Sequence, residues 1–177
     1  KLYRTYRKVI NDLNNPGEFF YSCKRGNHII EFIENYCRHS KGKMGGKPVI
    51  LELWEKAMLA TIFGFVNIEG IRKYQFADLI IAKKNGKSLL SSCVGLYLQV
   101  GDGEAGPEVY SVATKKDQAK IIWAESKRMV KKSPALKKRI RALVAEMDSD
   151  FNDGVFKPLA SDSDSLDGLN VHGALMD

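Results

Sequence analysis

Ala82-Lys83-Lys84-Asn85-Gly86-Lys87-Ser88 sets the expectation for the fold of this 177-residue chain. It joins the apolar run 76–82 (Phe-Ala-Asp-Leu-Ile-Ile-Ala) to a stretch, 87–100, in which Leu89, Leu90, Cys93, Val94, Leu96, Tyr97 and Leu98 recur at helical spacing. A short, almost wholly apolar run predicts a strand buried in a parallel sheet, and strand, loop and helix in that order open a βαβ unit. A polyphosphate needs converging backbone N–H groups, a helix N-terminus, a lysine that reaches the terminal phosphates and a hydroxyl for Mg²⁺. Asn85, Gly86, Lys87 and Ser88, with Lys84 before them, supply that set. The usual pattern is G-x-x-x-x-G-K-[ST]; five positions before Gly86 stands Ile81, so the first glycine is missing and the predicted phosphate loop is degenerate.

Downstream, 101–107 (Gly-Asp-Gly-Glu-Ala-Gly-Pro) breaks the helix, and 108–113 (Glu-Val-Tyr-Ser-Val-Ala) reads as the next strand. Helices are predicted over 116–131 and 134–147, then short strands or turns, then an apolar run over 171–176 that ends at Asp177. Asp177 lies 90 residues after Lys87, the arrangement of a strand whose terminal carboxylate holds Mg²⁺ through water. Upstream, a helix is predicted over 27–39, then a flexible basic linker over 41–47 (Lys-Gly-Lys-Met-Gly-Gly-Lys), then a helix over 51–63 stopped by Gly64. The expected organisation is an N-terminal helical arm and linker over 1–47 and a P-loop ATPase domain over 48–177. The expected fold class is α/β: a P-loop NTPase fold with a mainly parallel sheet flanked by helices and nucleotide at the carboxyl ends of the strands.

The length suits one ordinary core. No apolar run approaches the roughly 20 residues of a membrane-spanning helix, and 1–15 lack the apolar stretch of a secretory signal. Cys23, Cys37 and Cys93 are odd in number, which points to a reducing compartment and a cytoplasmic protein. The net charge of +7 is uneven: 148–177 hold seven aspartates against Lys157, a local charge of −6, which leaves +13 on the first 147 residues. Such a field attracts polyanions. Lys127, Arg128, Lys131, Lys132, Lys137, Lys138, Arg139 and Arg141 form a basic run that could track a nucleic-acid backbone or simply be a solvated face. Cys23, His28, Cys37 and His39 do not have a common zinc spacing and read as ordinary helix residues. His172 reads as a packing residue, and Trp54 and the other aromatic residues as core rather than base-stacking platforms.

Lys83-Lys-Asn-Gly-Lys-Ser88 resembles the deviant Walker A of the large terminase subunit of tailed bacteriophages, which also lacks the first glycine and carries a basic residue early in the loop. In the same order, Leu51-Glu-Leu-Trp54-Glu55 with Ile62-Phe-Gly64 resembles the family's adenine-side segment, and 108–113 with Gln118-Ala119 its second strand and helix. Ser161-Asp-Ser-Asp-Ser-Leu-Asp-Gly-Leu169, followed by 171–177, resembles the approach to its Walker B. Two departures stand out. Lys83 replaces the usual arginine finger, keeping the charge without the planar fork, and Glu55 replaces the common glutamine, accepting but not donating when ionised.

The resemblance implies a DNA-packaging ATPase using ATP and Mg²⁺, in the host cytoplasm. Its partners would be double-stranded DNA, the portal protein, the small terminase subunit and further copies in a ring on the capsid. Lys87 and Lys83 would be catalytic, with Lys84, Asn85, Gly86, Ser88, Trp54 and Glu55 on the nucleotide and Ser88 and Asp177 on the metal. In the family a glutamate that activates water follows the Walker B aspartate, and Asp177 is the last residue of this sequence. The expectation is therefore a fragment without the catalytic base and nuclease domain, which binds nucleotide weakly and does not turn it over. A helicase-like P-loop ATPase and a non-enzymatic nucleic-acid-binding module are the alternatives. The former would continue into its own acidic signature and a second motor domain; the latter would bind DNA regardless of Lys87.

Overall fold

The computed structural model describes residues 2–160 and 168–176. Contacts divide the chain into two compact units, one formed by Lys1–Glu31 with Leu51–Ile80 and the other by Phe32–Ile50 with Ile81–Asp177.

The first unit holds helix α1 (Leu2–Asn14), strand β1 (Phe20–Tyr21), most of helix α2 (Cys23–Tyr36), helix α3 (Leu53–Gly64) and strand β2 (Phe65–Val66). β1 and β2 pair antiparallel, Phe20 opposite Val66 and Tyr21 opposite Phe65. Tyr21 packs its ring on Phe65 and lies where a Cβ on Gly64 would fall, 2.4 Å from its Cε2, so glycine is required for that approach. α1 is tied to 73–74 by polar contacts: Asp12 pairs with Lys73 at 2.7 Å and accepts the Tyr74 hydroxyl at 2.9 Å.

The second unit is built on a five-stranded sheet. Its elements are helix α4 (Lys87–Val100), strand β3 (Glu108–Ala113), helix α5 (Lys116–Lys132), the single turn α6 (Pro134–Lys137), and strands β4 (Arg141–Ala142), β5 (Met147–Ser149), β6 (Gly154–Ala160) and β7 (Val171–Met176). Strand order is β4-β5-β6-β3-β7. β3 pairs parallel with β6 and with β7, while β4, β5 and β6 run antiparallel to one another. The sheet is therefore mixed, not mainly parallel as expected. Short turns join β4, β5 and β6, and a short turn can link only antiparallel neighbours.

α4 and α5 pack on the sheet through a core that includes Leu96, Tyr97, Val109, Tyr110, Ile122, Met129, Met147 and Phe156. Gly95 lets α4 lie close to it: a Cβ there would meet Phe156 Cε1 at 2.7 Å and Leu175 Cδ1 at 2.8 Å. Buried polar groups pin the layers together. Trp123 Nε1 donates to the Phe156 carbonyl at 3.1 Å, the Ser111 hydroxyl to the Ala119 carbonyl at 2.7 Å, and Gln99 Nε2 to the Met147 carbonyl at 2.9 Å.

Helix 87–100, strand 108–113 and the run 171–176 form as expected, and α5 extends one residue past its expected end. Three expectations fail. Residues 76–82 are not a strand: they make no ladder with any described strand, and Phe76 and Ile80 are 92% and 94% exposed. An apolar run becomes a strand only where a neighbour takes its N–H and C=O groups. The helix predicted over 134–147 stops after one turn, because Arg141 and Ala142 pair with Asp148 and Met147 and two ladders cannot share one backbone. The predicted flexible linker is a closed loop: Arg38 bridges Pro48, the His39 N–H donates to the Lys47 carbonyl at 3.0 Å, and the Gly46 N–H donates to the His39 carbonyl at 2.8 Å. Among the described residues, no helix is long and apolar enough to cross a membrane.

Candidate functional site

The residues predicted to form a phosphate loop make a tight exposed turn at the start of α4. Lys84 and Gly86 have φ of 67° and 76°, and Gly86 is the residue that caps α4. A left-handed backbone is cheap for glycine and costly for lysine, so Lys84 carries local strain of about 1–2 kcal/mol. The N-cap residue makes no side-chain cap, and a helical hydrogen bond runs from the Leu90 N–H to the Gly86 carbonyl at 2.9 Å. Gly86 has no side chain to offer as a cap, and the amides ahead of Leu90 stand at the positive end of a 14-residue helix, where an anion is stabilised. A Cβ on Gly86 would meet nothing within 4 Å, so the space over the turn is open.

Lys83, Lys84, Asn85, Gly86 and Lys87 are exposed and Ser88 is half-buried. The turn brings them together as the sequence requires, without a preceding strand. Gly168 and Leu169 are described, but 161–167 of the Walker B approach and Asp177, the expected second metal ligand, lie outside the described residues. Trp54 and Glu55 open α3 in the first unit, where Glu55 Oε2 accepts the Glu52 N–H at 2.8 Å.

Beside the start of α4 lies a cavity of about 370 Å³ that the sequence did not reveal. Ser88 and Leu89 form one wall, Ile121, Glu125 and Arg128 of α5 another, and His39, Ser40 and Lys41 the third. Glu125 is 8% exposed, accepts the Ser40 hydroxyl, and is gripped by Arg128 through Nε at 3.2 Å and a terminal nitrogen at 2.7 Å. Burial pushes its pKa up, but those hydrogen bonds and the charges of Arg128 and Lys41 outweigh burial and hold it below the usual carboxylate range. Glu125 and Arg128, three apart on a helix, are a pair that sequence spacing could have suggested. Ser40 gave no such signal.

His172 proves to be more than packing: its Nε2 lies 2.9 Å from Asp102 Oδ2, and both side chains are largely buried. The pair ties β7 to the turn after α4. Of the basic run, Arg141 is engaged by Asp148 and Asp150, and Lys127 covers the Trp123 ring and donates to the Leu143 carbonyl.

The large-terminase subunit ("Terminase, large subunit") of Enterobacteria phage HK97 is 32% identical over 113 residues, covering 63% of this chain and 21% of the relative. The chain thus spans about a fifth of that relative's length. The crystal structure of the HK97 bacteriophage large terminase has the same fold, with a TM-score of 0.72 at 24% identity, covering 86% of this chain and 31% of that one. The sequence model of the family described as "Terminase large subunit, ATPase domain" matches residues 53–177. With an open Asn-Gly-Lys-Ser turn at the start of a helix and a match to that model over most of its length, the chain belongs to the terminase large subunit ATPase family.

Proposed function

We propose that this chain is the nucleotide-binding part of a phage packaging ATPase that drives double-stranded DNA into the prohead. The observation that carries the reading is the left-handed turn at Lys84 and Gly86, which sets the N-terminal end of α4, with Lys87 and Ser88 in its first turn, under open space. Those groups fit a polyphosphate: backbone donors, open space over Gly86 and a lysine at the helix start. In this scheme the amides near Gly86, with Lys84 and Asn85 beside them, hold the phosphates. Lys87 neutralises the β- and γ-phosphates, and Ser88 with Asp177 holds Mg²⁺. Lys83 stabilises charge developing on the transferred group. Bound Mg²⁺·ATP supplies the phosphoryl group and the divalent charge. The resemblance alone assigns the adenine to Trp54 and Glu55, the ATPase domain to 48–177, and the portal, small subunit, subunit ring and host cytoplasm as its setting.

The test is titration of Mg²⁺·ATP into the chain with calorimetric detection, together with turnover by the longer large subunit that carries it. Lys87→Ala should abolish both. Unchanged nucleotide binding by Lys87→Ala would remove the loop from the mechanism.

A further inference from the structure

The loop 38–48 and the end of α5 are far apart in sequence, yet the Ser40–Glu125 hydrogen bond seats one on the other. The loop is a closed, cationic tip. Gly42 and Gly46 take left-handed φ of 73° and 84°, and Lys41, Lys43 and Lys47 are exposed around it. Lys41 adds its charge to the Glu125 environment and lines the same cavity as Arg128. Along α5, Glu125, Arg128 and Lys132 are spaced three and four apart and so lie on one face. The stripe that begins at the tip therefore continues along α5 through Arg128 to Lys132, with Lys131 beside it; after the break at Ser133, Lys137 and Lys138 follow in and after α6, and all of these are exposed. Among the described residues, no carboxylate lies within ion-pair distance of Lys43, Lys47, Lys131, Lys132, Lys137 or Lys138. Lysines that complement a helix C-terminus account for Lys131, Lys132 and Lys137, which lie in last turns, but not for Lys138 or the tip.

We propose that the 38–48 tip and the α5–α6 lysines form one continuous track for the sugar-phosphate backbone of duplex nucleic acid. The kind of partner rests on the DNA-translocating reading above; the surface rests on charge and placement. The six lysines with no carboxylate at ion-pair distance suit phosphates, whereas a protein partner needs apolar anchors in a dry centre. From Glu125 to Lys132 the helix rises about 10 Å. Duplex phosphates follow every ~3.4 Å of axis on each strand, so this segment alone spans about three of them.

The test is fluorescence anisotropy of a labelled duplex against salt, with wild type, a tip variant (Lys41→Gln, Lys43→Gln, Lys47→Gln) and an α5–α6 variant (Lys131→Gln, Lys132→Gln, Lys137→Gln, Lys138→Gln). Each variant should lose at least tenfold in affinity and lower the slope of log K against log salt by about one per lysine removed that meets a phosphate. Circular dichroism should show both folded. Ser40→Ala, which releases the tip from α5 without removing charge, should weaken binding less than either.

Wild-type affinity and slope in both variants would overturn the track, and loss in only one would overturn its continuity. Equal competition by polyglutamate of matched charge would overturn the choice of nucleic acid over an acidic protein. Nucleotide binding distinguishes the two readings: if Mg²⁺·ATP fails to bind while these losses appear, the ATPase reading falls and the track stands.

Discussion

The Ser40 hydroxyl donates a hydrogen bond to the Glu125 carboxylate, joining residues 85 apart in the sequence. Arg128 holds the same carboxylate from within α5, so one buried acid fixes both the 38–48 loop and the local helix surface. Glu125→Ala leaves Ser40 and Arg128 without their acceptor and should cost about 1–3 kcal/mol, read by urea denaturation at neutral pH. The pH dependence has a definite sign. The folded carboxyl titrates below its unfolded value, so the stability it adds is present above the ordinary carboxylate range and is lost as pH falls through the folded pKa. Glu125→Gln should therefore flatten part of the acid limb of the stability curve. An acid limb identical to wild type would show that the pair contributes nothing.

Gly95 and Gly173 both sit at close approaches of α4 to the sheet, but their neighbours differ. A Cβ on Gly95 would strike the Phe156 ring and Leu175, while one on Gly173 would meet only the Leu98 methyl at 2.6 Å, the end of a flexible side chain. Gly95→Ala should lower stability by about 1–3 kcal/mol through overpacking, and Gly173→Ala by less. Thermal melts of the two variants check the order, and the reverse order would refute it.

Tyr110 and Tyr74 should ionise late. Burial, then a hydrogen bond to Glu108 at 2.8 Å, pushes Tyr110 up to about 12; burial and the bond to Asp12 push Tyr74 to about 12. A folded pKa above the unfolded value of 10.0 means that this stability is present below 10.0 and lost as pH rises toward 12. Ultraviolet titration should show Tyr74 and Tyr110 ionising late, with Tyr21, which burial also raises, above the ordinary range as well. Glu108→Gln should bring Tyr110 only part of the way back, because burial, the larger cause, remains.

Gly86→Ala tests the turn itself. With φ at 76° and no atom within 4 Å of the added Cβ, the cost is conformational, about 1–2 kcal/mol, with no clash. The melt should fall slightly while Mg²⁺·ATP affinity falls with it. A stability loss as large as that of Gly95→Ala would mean that the site is more crowded than its geometry indicates.

The features legible in the sequence are those set by neighbours along the chain. α4, β3 and β7 lie within the bounds that periodicity and turn residues predict, and the Asn85-Gly86-Lys87-Ser88 turn forms from a glycine that tolerates left-handed backbone and a helix that starts after it. The failures share one cause. Residues 76–82 have the composition of a strand and no described strand beside them, while the segment after α6 has helical spacing and a hairpin partner. Helical hydrogen bonds close within four residues, so local sequence can specify them; a strand exists only when a remote backbone arrives at its edge.

By itself, then, the sequence determined the Asn85-Gly86-Lys87-Ser88 turn, its helix and the family likeness, all carried by short-range pattern. Tertiary structure decided the rest: that the sheet is mixed, that His172 meets Asp102, and that Ser40 meets Glu125, which seats the 38–48 loop on α5. Those contacts depend on how β3, β6 and β7 assemble and where α4 and α5 pack on them. Long-range burial makes that choice, and no local spacing encodes it.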